Sequence, residues 1–222
     1  MTFKGIVLRL RNGYIRLTKK ARRKKIKCDD FTIISNNCWG GLVYESYNLP
    51  KNSPTVGMYF ISEEYLKFVS NLKYYLTECK ISFVDANLSK HKDFYSKDSR
   101  FGSFPIAVLG DVEIAMLHFH SEQEVVEKWE RRVKRINWER LIVKMNDQNQ
   151  CNEEIVCKFC QLSYKNLLFF TVNHKYKDIT NVVCLSKKSK PSCGLFDEPF
   201  GASKKFNVNK YINKLVEKEE KV

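Results

Sequence analysis

The sequence predicts a single layered α/β domain, in which helices flank a mostly parallel sheet, preceded by a basic N-terminal leader. Short apolar runs of strand length alternate with segments of helical periodicity, a pattern typical of this fold class. The chain has 222 residues, of which 43% are hydrophobic and 13% aromatic, so it can bury a sizeable core. We divide it into a leader, residues 1–27, and an α/β domain, residues 28–222.

The leader is the source of most of the net charge of +14. Residues 1–27 contain eleven of the 39 Lys and Arg residues and none of the 25 Asp and Glu residues, mixed with apolar side chains. This composition suits the surface of an anionic membrane. It equally suits a solvated helix or an arm that packs against the domain. Since the basic excess is not spread over a binding face, we expect no nucleic-acid partner.

The same sequence bears on the compartment. No run approaches the ~20 apolar residues that span a bilayer, and no signal-peptide pattern follows the basic N-terminus. These features predict a cytoplasmic protein, which the leader could hold peripherally at the inner face of the membrane. The eight cysteines are then expected to be free thiols.

Apolar runs and helical spacing place the remaining elements. Strands are predicted at residues 31–34, 56–60, 81–84, 105–109, 112–120, 141–145, 166–172 and 181–185. Helices are predicted at residues 62–76, 122–137, 152–161 and 208–216, the second of them behind a capping box at Ser121. The polar stretch 85–104 is predicted to be a long surface loop and a candidate lid or specificity element.

Cys38 follows the first predicted strand, in a turn of small polar residues and glycines. A cysteine where a helix begins meets the positive end of the helix dipole, which favours the thiolate. Loop amides nearby could stabilise an oxyanion. The alternative is that Cys38 is a small buried side chain and that its neighbours serve packing. We assign candidate substrate contacts to Asn36, Asn37, Trp39, Gly40, Gly41, Asn52 and Ser53.

Two further strand ends carry polar side chains that could join Cys38. His118 and His120 end one predicted strand, where they would face the same side, and Asn146 and Asp147 follow another. Carboxyl ends of parallel strands meet at one edge of the sheet, so these loops are expected to converge. A thiol nucleophile needs a base, and the base needs a group that orients it. The candidate catalytic residues are Cys38, His118, His120 and Asp147.

Two other patterns leave alternatives open. Arg131, Arg132 and Arg135 are typical of a solvated helix face, but arginine forks could also bind a phosphorylated cofactor or a sugar nucleotide. Cys157 and Cys160 have the spacing of half a zinc site, and no second half is visible. We therefore predict no metal.

Five segments carry a resemblance: SNNCWGG, NLPKNSPTVGMYF, SEEYLKFVSNLKYYL, LGDVEIAMLHF and SEQEVVEKWERRVKRINW. From about Phe31 to the C-terminal helix, the chain resembles a bacterial family with a domain of unknown function associated with exopolysaccharide and lipopolysaccharide biosynthesis. The order of a strand-end cysteine, a histidine and a KWERRxxRI helix is similar to papain-like cysteine peptidase families of polysaccharide loci. The Asn-Cys pair is similar to that of capsule-modifying acetyltransferases.

The resemblance implies acyl-type transfer to a sugar, with Cys38 as nucleophile and His118 as base. Asn146 or Asp147 would orient the base, although this chain has Asn-Asp-Gln-Asn where the family has an Asp-rich loop, which leaves that residue open. The partner would be a sugar or polysaccharide precursor and acyl-CoA a possible donor, the cofactor being otherwise unknown. One alternative is a glycosyltransferase that holds a nucleotide-sugar through Arg131, Arg132 and Asp111 or Asp147. The other is a non-catalytic assembly protein of the polysaccharide machinery.

Overall fold

A computed structural model of the chain describes residues 3–217, apart from the side chains of residues 3–5, 7, 8 and 217. Its helices are α1 (Phe3–Arg23), α2 (Trp39–Ser46), α3 (Ser62–Ser70), α4 (Leu72–Thr77), α5 (Lys92–Tyr95), α6 (Glu122–Val133), α7 (Glu153–Cys160) and α8 (Val208–Glu217). Its strands are β1 (Thr32–Ser35), β2 (Ile81–Val84), β3 (Ile106–Leu109), β4 (Val112–Ala115), β5 (Leu141–Asn146), β6 (Leu167–Thr171) and β7 (Val182–Cys184). The predicted α/β class is confirmed.

The central sheet is parallel and has the order β1-β5-β6-β7. Every residue of β1, β5 and β6 is buried, as expected for strands covered on both faces. One face packs against α3, α4, α6 and α7, and the other against α2 and α8. Side chains alternate between the two faces, so Val143 and Phe169 join the first core while Ile142 and Phe170 join the second. Helices thus flank the sheet, as predicted.

A second, antiparallel sheet of order β2-β3-β4 was not predicted. The predicted strand 56–60 is wrong: within it only Tyr59 forms a bridge, to Ala115. Gly57 has a φ of +93° there, which breaks the extended conformation. The predicted strand 112–120 is too long, because β4 ends at Ala115 and the chain then turns.

Three other boundaries differ from the prediction. The helix expected over residues 62–76 is broken into α3 and α4 at Asn71, whose φ of −136° is not helical. Helix α6 ends at Val133 rather than near residue 137. The expected loop 85–104 contains a 3₁₀ turn, Ala86–Leu88, and the short helix α5.

Helix α1 accounts for most of the predicted leader and packs against α2. Ile15 on its inner side is buried, and Arg22 Nη1 donates to the Ser46 carbonyl at 3.2 Å. Its outer side leaves Leu10 69% and Leu17 82% exposed. No helix within residues 3–217 combines the length and the apolar character needed to cross a bilayer. The leader is therefore a helix with one face on the domain and an apolar stripe facing outward.

Candidate functional site

The carboxyl edge of β1 and β5 holds a cluster of buried polar side chains. Asn36, just after β1, and Asn146, the last residue of β5, are both fully buried. Asn36 Nδ2 donates to Asn146 Oδ1 at 2.9 Å, and Asn36 Oδ1 accepts from the Asn146 N–H at 3.2 Å. These two amides fix the ends of adjacent strands at the edge where parallel sheets usually bind ligands.

An ion pair between Lys144 and Glu198 lies at the centre of this cluster, and both side chains are 0% exposed. Lys144 Nζ also donates to Asn37 Oδ1 at 3.0 Å. Glu198 accepts from Asn37 Nδ2 at 3.1 Å and from Asn146 Nδ2 at 2.9 Å. We call Asn36, Asn37, Lys144, Asn146 and Glu198 the carboxyl-edge cluster. Each of the two charges thus has an opposite charge and at least one amide partner.

Burial shifts the pKa values of Lys144 and Glu198 in opposite directions. It lowers the pKa of Lys144 and raises the pKa of Glu198, while their mutual attraction opposes both shifts. This ion pair was not predicted from the sequence. A lysine inside the apolar run LIVKMN was the one visible signal for it, since such a position is buried and a buried lysine needs a partner. Glu198 lies in a loop and gave no comparable signal.

Cys38 lies beside this cluster and lines an open pocket of about 390 Å³. Cys38 is half-buried, and it is the residue that precedes α2. We call this cavity the Cys38 pocket. It is lined by Asn37, Cys38, Tyr59, Phe94, Lys97, Asp98, Leu117, Gln148, Asn149 and Leu195. Three of these residues come from the stretch 85–104, so the candidate lid forms one wall of the pocket.

The predicted thiolate at Cys38 is wrong for this structure. Burial, followed by the negative charge of Glu198, raises the pKa of the Cys38 thiol to about 11. The positive charges of Lys144, Arg100 and Arg11 oppose that rise without cancelling it. Desolvation of the thiolate outweighs the attraction of the α2 N-terminus, so the thiol is protonated at neutral pH.

The two histidines lie in the turn after β4, so the prediction that they share one side of a strand is also wrong. In the described part of the chain, no hydrogen bond joins His118 or His120 to Cys38. Burial, then the charge of Arg100, lowers the pKa of His118, which keeps its imidazole neutral at pH 7. Arg100 also acts on Cys38, so one guanidinium is near both groups.

Asp147 is buried, and its hydrogen-bond partners are not histidines. Its carboxylate accepts hydrogen bonds from the Thr171 hydroxyl and from the Cys193 N–H. Burial is the main cause that raises its pKa. Across residues 3–217, no hydrogen bond links Asp147 to His118 or His120, so its orienting role stays a prediction without the contact that it requires.

Trp39 and the two glycines of the motif pack α2 against its surroundings. Trp39 is 1% exposed and donates through Nε1 to the Pro199 carbonyl at 2.8 Å. A Cβ on Gly40 would lie 3.1 Å from the Ile33 side chain, and one on Gly41 would lie 2.9 Å from that of Val56. The glycines therefore allow a close approach of the helix. Of the motif residues, Asn37 and Cys38 reach the pocket.

The loop before residue 56 supports the end of β1. Ser53 is buried, and its hydroxyl lies 3.1 Å from that of Thr55. Thr55 Oγ1 in turn accepts from the Ser35 N–H at 3.1 Å. Asn52 is half-buried next to this network. Substrate contacts by Asn52 and Ser53 stay predictions.

The arginines of α6 occupy two different environments. Arg132 is buried and donates through Nη1 to the Val56 carbonyl at 2.8 Å, which gives it a structural contact. Arg131 and Arg135 are exposed. None of the three lines the Cys38 pocket.

A second buried acid anchors the wall of the pocket. Glu64 lies 2.9 Å from Lys90 Nζ, 3.3 Å from His91 Nε2 and 3.8 Å from Lys67 Nζ. We call these four residues the Glu64 cluster. Tyr95, one turn beyond His91, is fully buried. Since Glu64 belongs to α3, these contacts tie the stretch 85–104 to that helix.

All eight cysteines are free thiols, Cys157 exposed and Cys160 half-buried. Among the described residues, no three His, Cys, Asp or Glu side chains are arranged to hold a metal ion. The expectation that no metal binds stays an expectation.

Comparison with known proteins gives a family and one relative. Residues 11–216 match the family described as domain of unknown function DUF1919. An uncharacterized protein of Haemophilus influenzae is 32% identical over 149 residues, which cover 67% of this chain and 65% of that protein. The chain thus spans less than two thirds of the length of this relative. The family match begins within α1, so it includes part of the predicted leader. The chain belongs to the DUF1919 family.

Proposed function

We propose that this protein is a transferase of cell-surface polysaccharide biosynthesis that passes an acyl group to a sugar hydroxyl through the Cys38 sulfur. One observation carries the proposal: a half-buried cysteine lines an open pocket at the carboxyl edge of a parallel sheet. The fully buried carboxyl-edge cluster behind it supplies a rigid floor, since Asn37 belongs to both the cluster and the pocket lining.

The other side chains of the pocket suit a saccharide. Tyr59 and Phe94 offer aromatic rings on which the apolar side of a sugar can pack. The amides of Asn37, Gln148 and Asn149 can donate to and accept from hydroxyl groups. Pockets of this kind, apolar with a few placed polar groups, are typical ligand sites.

The chemistry requires that the thiol lose its proton during the reaction rather than before it. His118, neutral at pH 7, would accept the proton once substrate binding brings its imidazole within hydrogen-bond distance of Cys38, as the Cys38 sulfur bonds to the acyl carbon of a thioester donor such as acyl-CoA. The donor's carbon–sulfur bond breaks, and its thiolate leaves with that proton. A sugar hydroxyl then attacks the acyl-enzyme, loses its proton to the same base and restores the Cys38 thiol.

Intact-protein mass spectrometry after incubation with acetyl-CoA, without any sugar, tests this proposal. We expect wild-type protein to gain one acetyl group and Cys38→Ser to gain none, while Cys157→Ser, which removes an exposed thiol, behaves like wild type. His118→Gln should slow the labelling about 100-fold or more and His120→Gln should change it little. Acetylation spread over several cysteines, or none in the folded wild type, contradicts acyl transfer and favours an assembly protein instead.

We also propose that α1 attaches the protein to an anionic membrane surface on the cytoplasmic side. Its outward stripe includes Leu10 and Leu17, with Arg16 and Lys20 exposed beside it. Exposed apolar side chains with basic neighbours suit an interfacial helix, and each basic residue near anionic lipid contributes about 1 kcal/mol.

Co-sedimentation with phosphatidylserine vesicles tests the attachment. We expect the full chain to sediment at low salt and to be released as salt shortens the screening length. A Leu10→Gln, Leu17→Gln variant should sediment less than wild type at every salt concentration. Equal sedimentation of the two proteins, or none at low salt, contradicts attachment through this stripe.

A further inference from the structure

The side-chain amide of Asn37 lies between a lysine and a carboxyl group. Lys144 Nζ donates to Asn37 Oδ1 at 3.0 Å, and Asn37 Nδ2 donates to the two Glu198 oxygens at 3.1 and 3.3 Å. The amide carbon is one C=O bond of ~1.2 Å away from Oδ1, so Nζ lies within about 4 Å of that carbon. A nucleophilic nitrogen, an amide carbon and a carboxyl group are therefore within reach of one another.

The oxygen of this amide occupies a position that stabilises negative charge. Asn37 Oδ1 accepts from the Trp39 N–H at 3.0 Å and from the Ser35 hydroxyl at 3.2 Å. Trp39 is the first residue of α2, where the helix dipole is positive. Two fixed donors on a carbonyl oxygen are the arrangement that stabilises the oxyanion of a tetrahedral intermediate.

The surroundings favour uncharged forms of the reacting groups. The side chains of Lys144 and Glu198 are 0% exposed, and Lys144 Nζ lies 5.7 Å from the centre of the Trp39 ring and 5.6 Å from that of Phe170. Burial lowers the pKa of Lys144 and raises the pKa of Glu198, so it favours a neutral amine and a neutral acid. Replacing a buried ion pair by neutral groups need not cost stability. The cluster therefore favours a reaction that removes both charges.

We propose that Lys144 and Asn37 form a covalent amide bond between their side chains, with Glu198 as the catalytic acid and base and ammonia as the leaving group. The bond ties the loop before α2 to β5 and fixes the residue next to Cys38. The two charges must first neutralise each other, so the reaction is slow and newly folded protein keeps the ion pair. The inference goes beyond the proposed function and does not depend on acyl transfer.

Glu198 moves the protons of this reaction. It takes one proton from the Lys144 ammonium, and the neutral Nζ then bonds to the Asn37 amide carbon while the carbonyl electron pair moves to Oδ1. Glu198 next gives its proton to Nδ2 and receives one from Nζ, the carbonyl re-forms, and the bond from carbon to Nδ2 breaks. The products are a secondary amide, ammonia and a protonated Glu198, so atoms and charge balance. Asn37 also lines the Cys38 pocket, through which ammonia can leave.

Asn36 also contacts Lys144 but is placed less well for this reaction. Its Oδ1 lies 3.4 Å from Lys144 Nζ and accepts from the Asn146 N–H. Its Nδ2 donates to Asn146 Oδ1 at 2.9 Å, which is an amide oxygen and carries no proton. The leaving nitrogen of Asn36 therefore has no acid beside it, whereas that of Asn37 has Glu198.

Mass spectrometry of the full chain, kept folded at pH 8 for several days, tests the bond. We expect the wild-type protein to lose about 17 Da, the mass of ammonia. Trypsin should then release residues 28–51 joined to residues 141–158, uncut after Lys144, with fragment ions that place the link on Asn37 rather than Asn36. Glu198→Gln should slow the loss at least ~100-fold. The control is Glu64→Gln, which removes another buried carboxyl and should leave the rate unchanged.

An unchanged mass in the wild type overturns the proposal. A loss of about 17 Da confined to the peptide 28–51 also overturns it, because an asparagine has then closed on its own backbone as a succinimide. A loss of about 18 Da means condensation of Lys144 with Glu198, and a gain of about 1 Da means hydrolysis of the amide, so either result contradicts the bond. If Glu198→Gln fails to fold, the joined peptides of the wild type decide the question without a variant.

Discussion

Glu198 and Glu64 are both buried carboxyls, but their cations come from different places. Lys144, the partner of Glu198, lies on β5, an inner strand of the parallel sheet, and its side chain is 0% exposed. The Lys67 and Lys90 side chains that face Glu64 come from α3 and from the stretch 85–104, and are 36% and 40% exposed. One acid is neutralised from within the core and the other from the surface.

The difference separates a rigid part of the pocket from an adaptable one. Water and salt reach the cations of the Glu64 cluster, so those ion pairs are screened and each is weak. The carboxyl-edge cluster excludes water, and every member is held by amides from neighbouring strands. The floor of the pocket should therefore stay fixed, while the wall at residues 85–104 can shift when a substrate binds.

The largest expected effect is the loss of Lys144. Lys144→Met should lower the free energy of unfolding by about 3–5 kcal/mol at pH 7, because it leaves the Glu198 carboxylate buried and uncompensated. Urea unfolding followed by circular dichroism measures the loss. The double variant Lys144→Met, Glu198→Met removes both charges and should be more stable than Lys144→Met alone.

The pKa of Glu198 determines how the stability lost in Lys144→Met changes with pH. Burial raises the folded-state pKa of Glu198, and removing Lys144 removes a charge that had lowered it. A raised carboxyl pKa means that the folded state binds the proton more tightly, so stability falls as pH rises above the unfolded-state value of ~4.3. The free energy of unfolding of Lys144→Met should be closest to that of wild type near pH 4.5, and the difference should grow toward pH 7. If the difference in free energy of unfolding between wild type and Lys144→Met does not change with pH, the loss of stability comes from packing rather than from charge.

A smaller effect is expected at the wall. Glu64→Gln keeps an acceptor for the Glu113 N–H but loses the ion pairs with Lys67 and Lys90 and alters the contact with His91. We expect a loss of about 1–2 kcal/mol in global stability. Proteolysis within residues 85–104 should also become faster, since these contacts tie that stretch to the domain.

Salt distinguishes the two clusters directly. Raising NaCl from 0.05 to 1 M should narrow the stability gap between Glu64→Gln and wild type, because the salt screens pairs that only wild type makes. The gap between Lys144→Met and wild type should hardly change. If both gaps respond alike to salt, the contrast between a fixed floor and an adaptable wall is wrong.

The sequence predicted the parts of the fold that depend on local pattern. The strand at residues 81–84 and the helix behind Ser121 follow from periodicity and capping; the strand has the predicted bounds, and the helix begins where predicted and ends earlier. The antiparallel sheet was missed because pairing between β2, β3 and β4 is a long-range contact without a local signal. Gly57, whose positive φ ends the predicted strand, looked like an ordinary residue of an apolar run.

The rule that strand ends meet at one edge holds for the loops after β1 and β5, because Asn36 bonds Asn146 and Cys38 shares its pocket with Gln148 and Asn149. His118 and His120, expected to join them, follow a strand of the other sheet. The state of the thiol was not predictable, because it depends on Glu198, 160 positions away in sequence, and on how deeply the fold buries the sulfur. Helix position alone suggested a thiolate, whereas desolvation is the larger effect.

The smallest expected effect on stability is at Cys38, where the floor meets the pocket. Cys38 is half-buried beside an open pocket and its thiol donates no hydrogen bond within the described chain, so Cys38→Ser should change the free energy of unfolding by less than ~1 kcal/mol. The control is Cys193→Ser, the same substitution at a fully buried thiol, which should cost about 1–3 kcal/mol by burying a hydroxyl.

The rate of alkylation of Cys38 by iodoacetamide measures the ionisation of the thiol independently. Because the pKa is about 11, its rate at pH 7 should be slow and should rise about tenfold per pH unit up to pH 10. A rate that is already high and flat near neutral pH would mean that the thiol is ionised, and that burial and the charge of Glu198 do not raise its pKa as described.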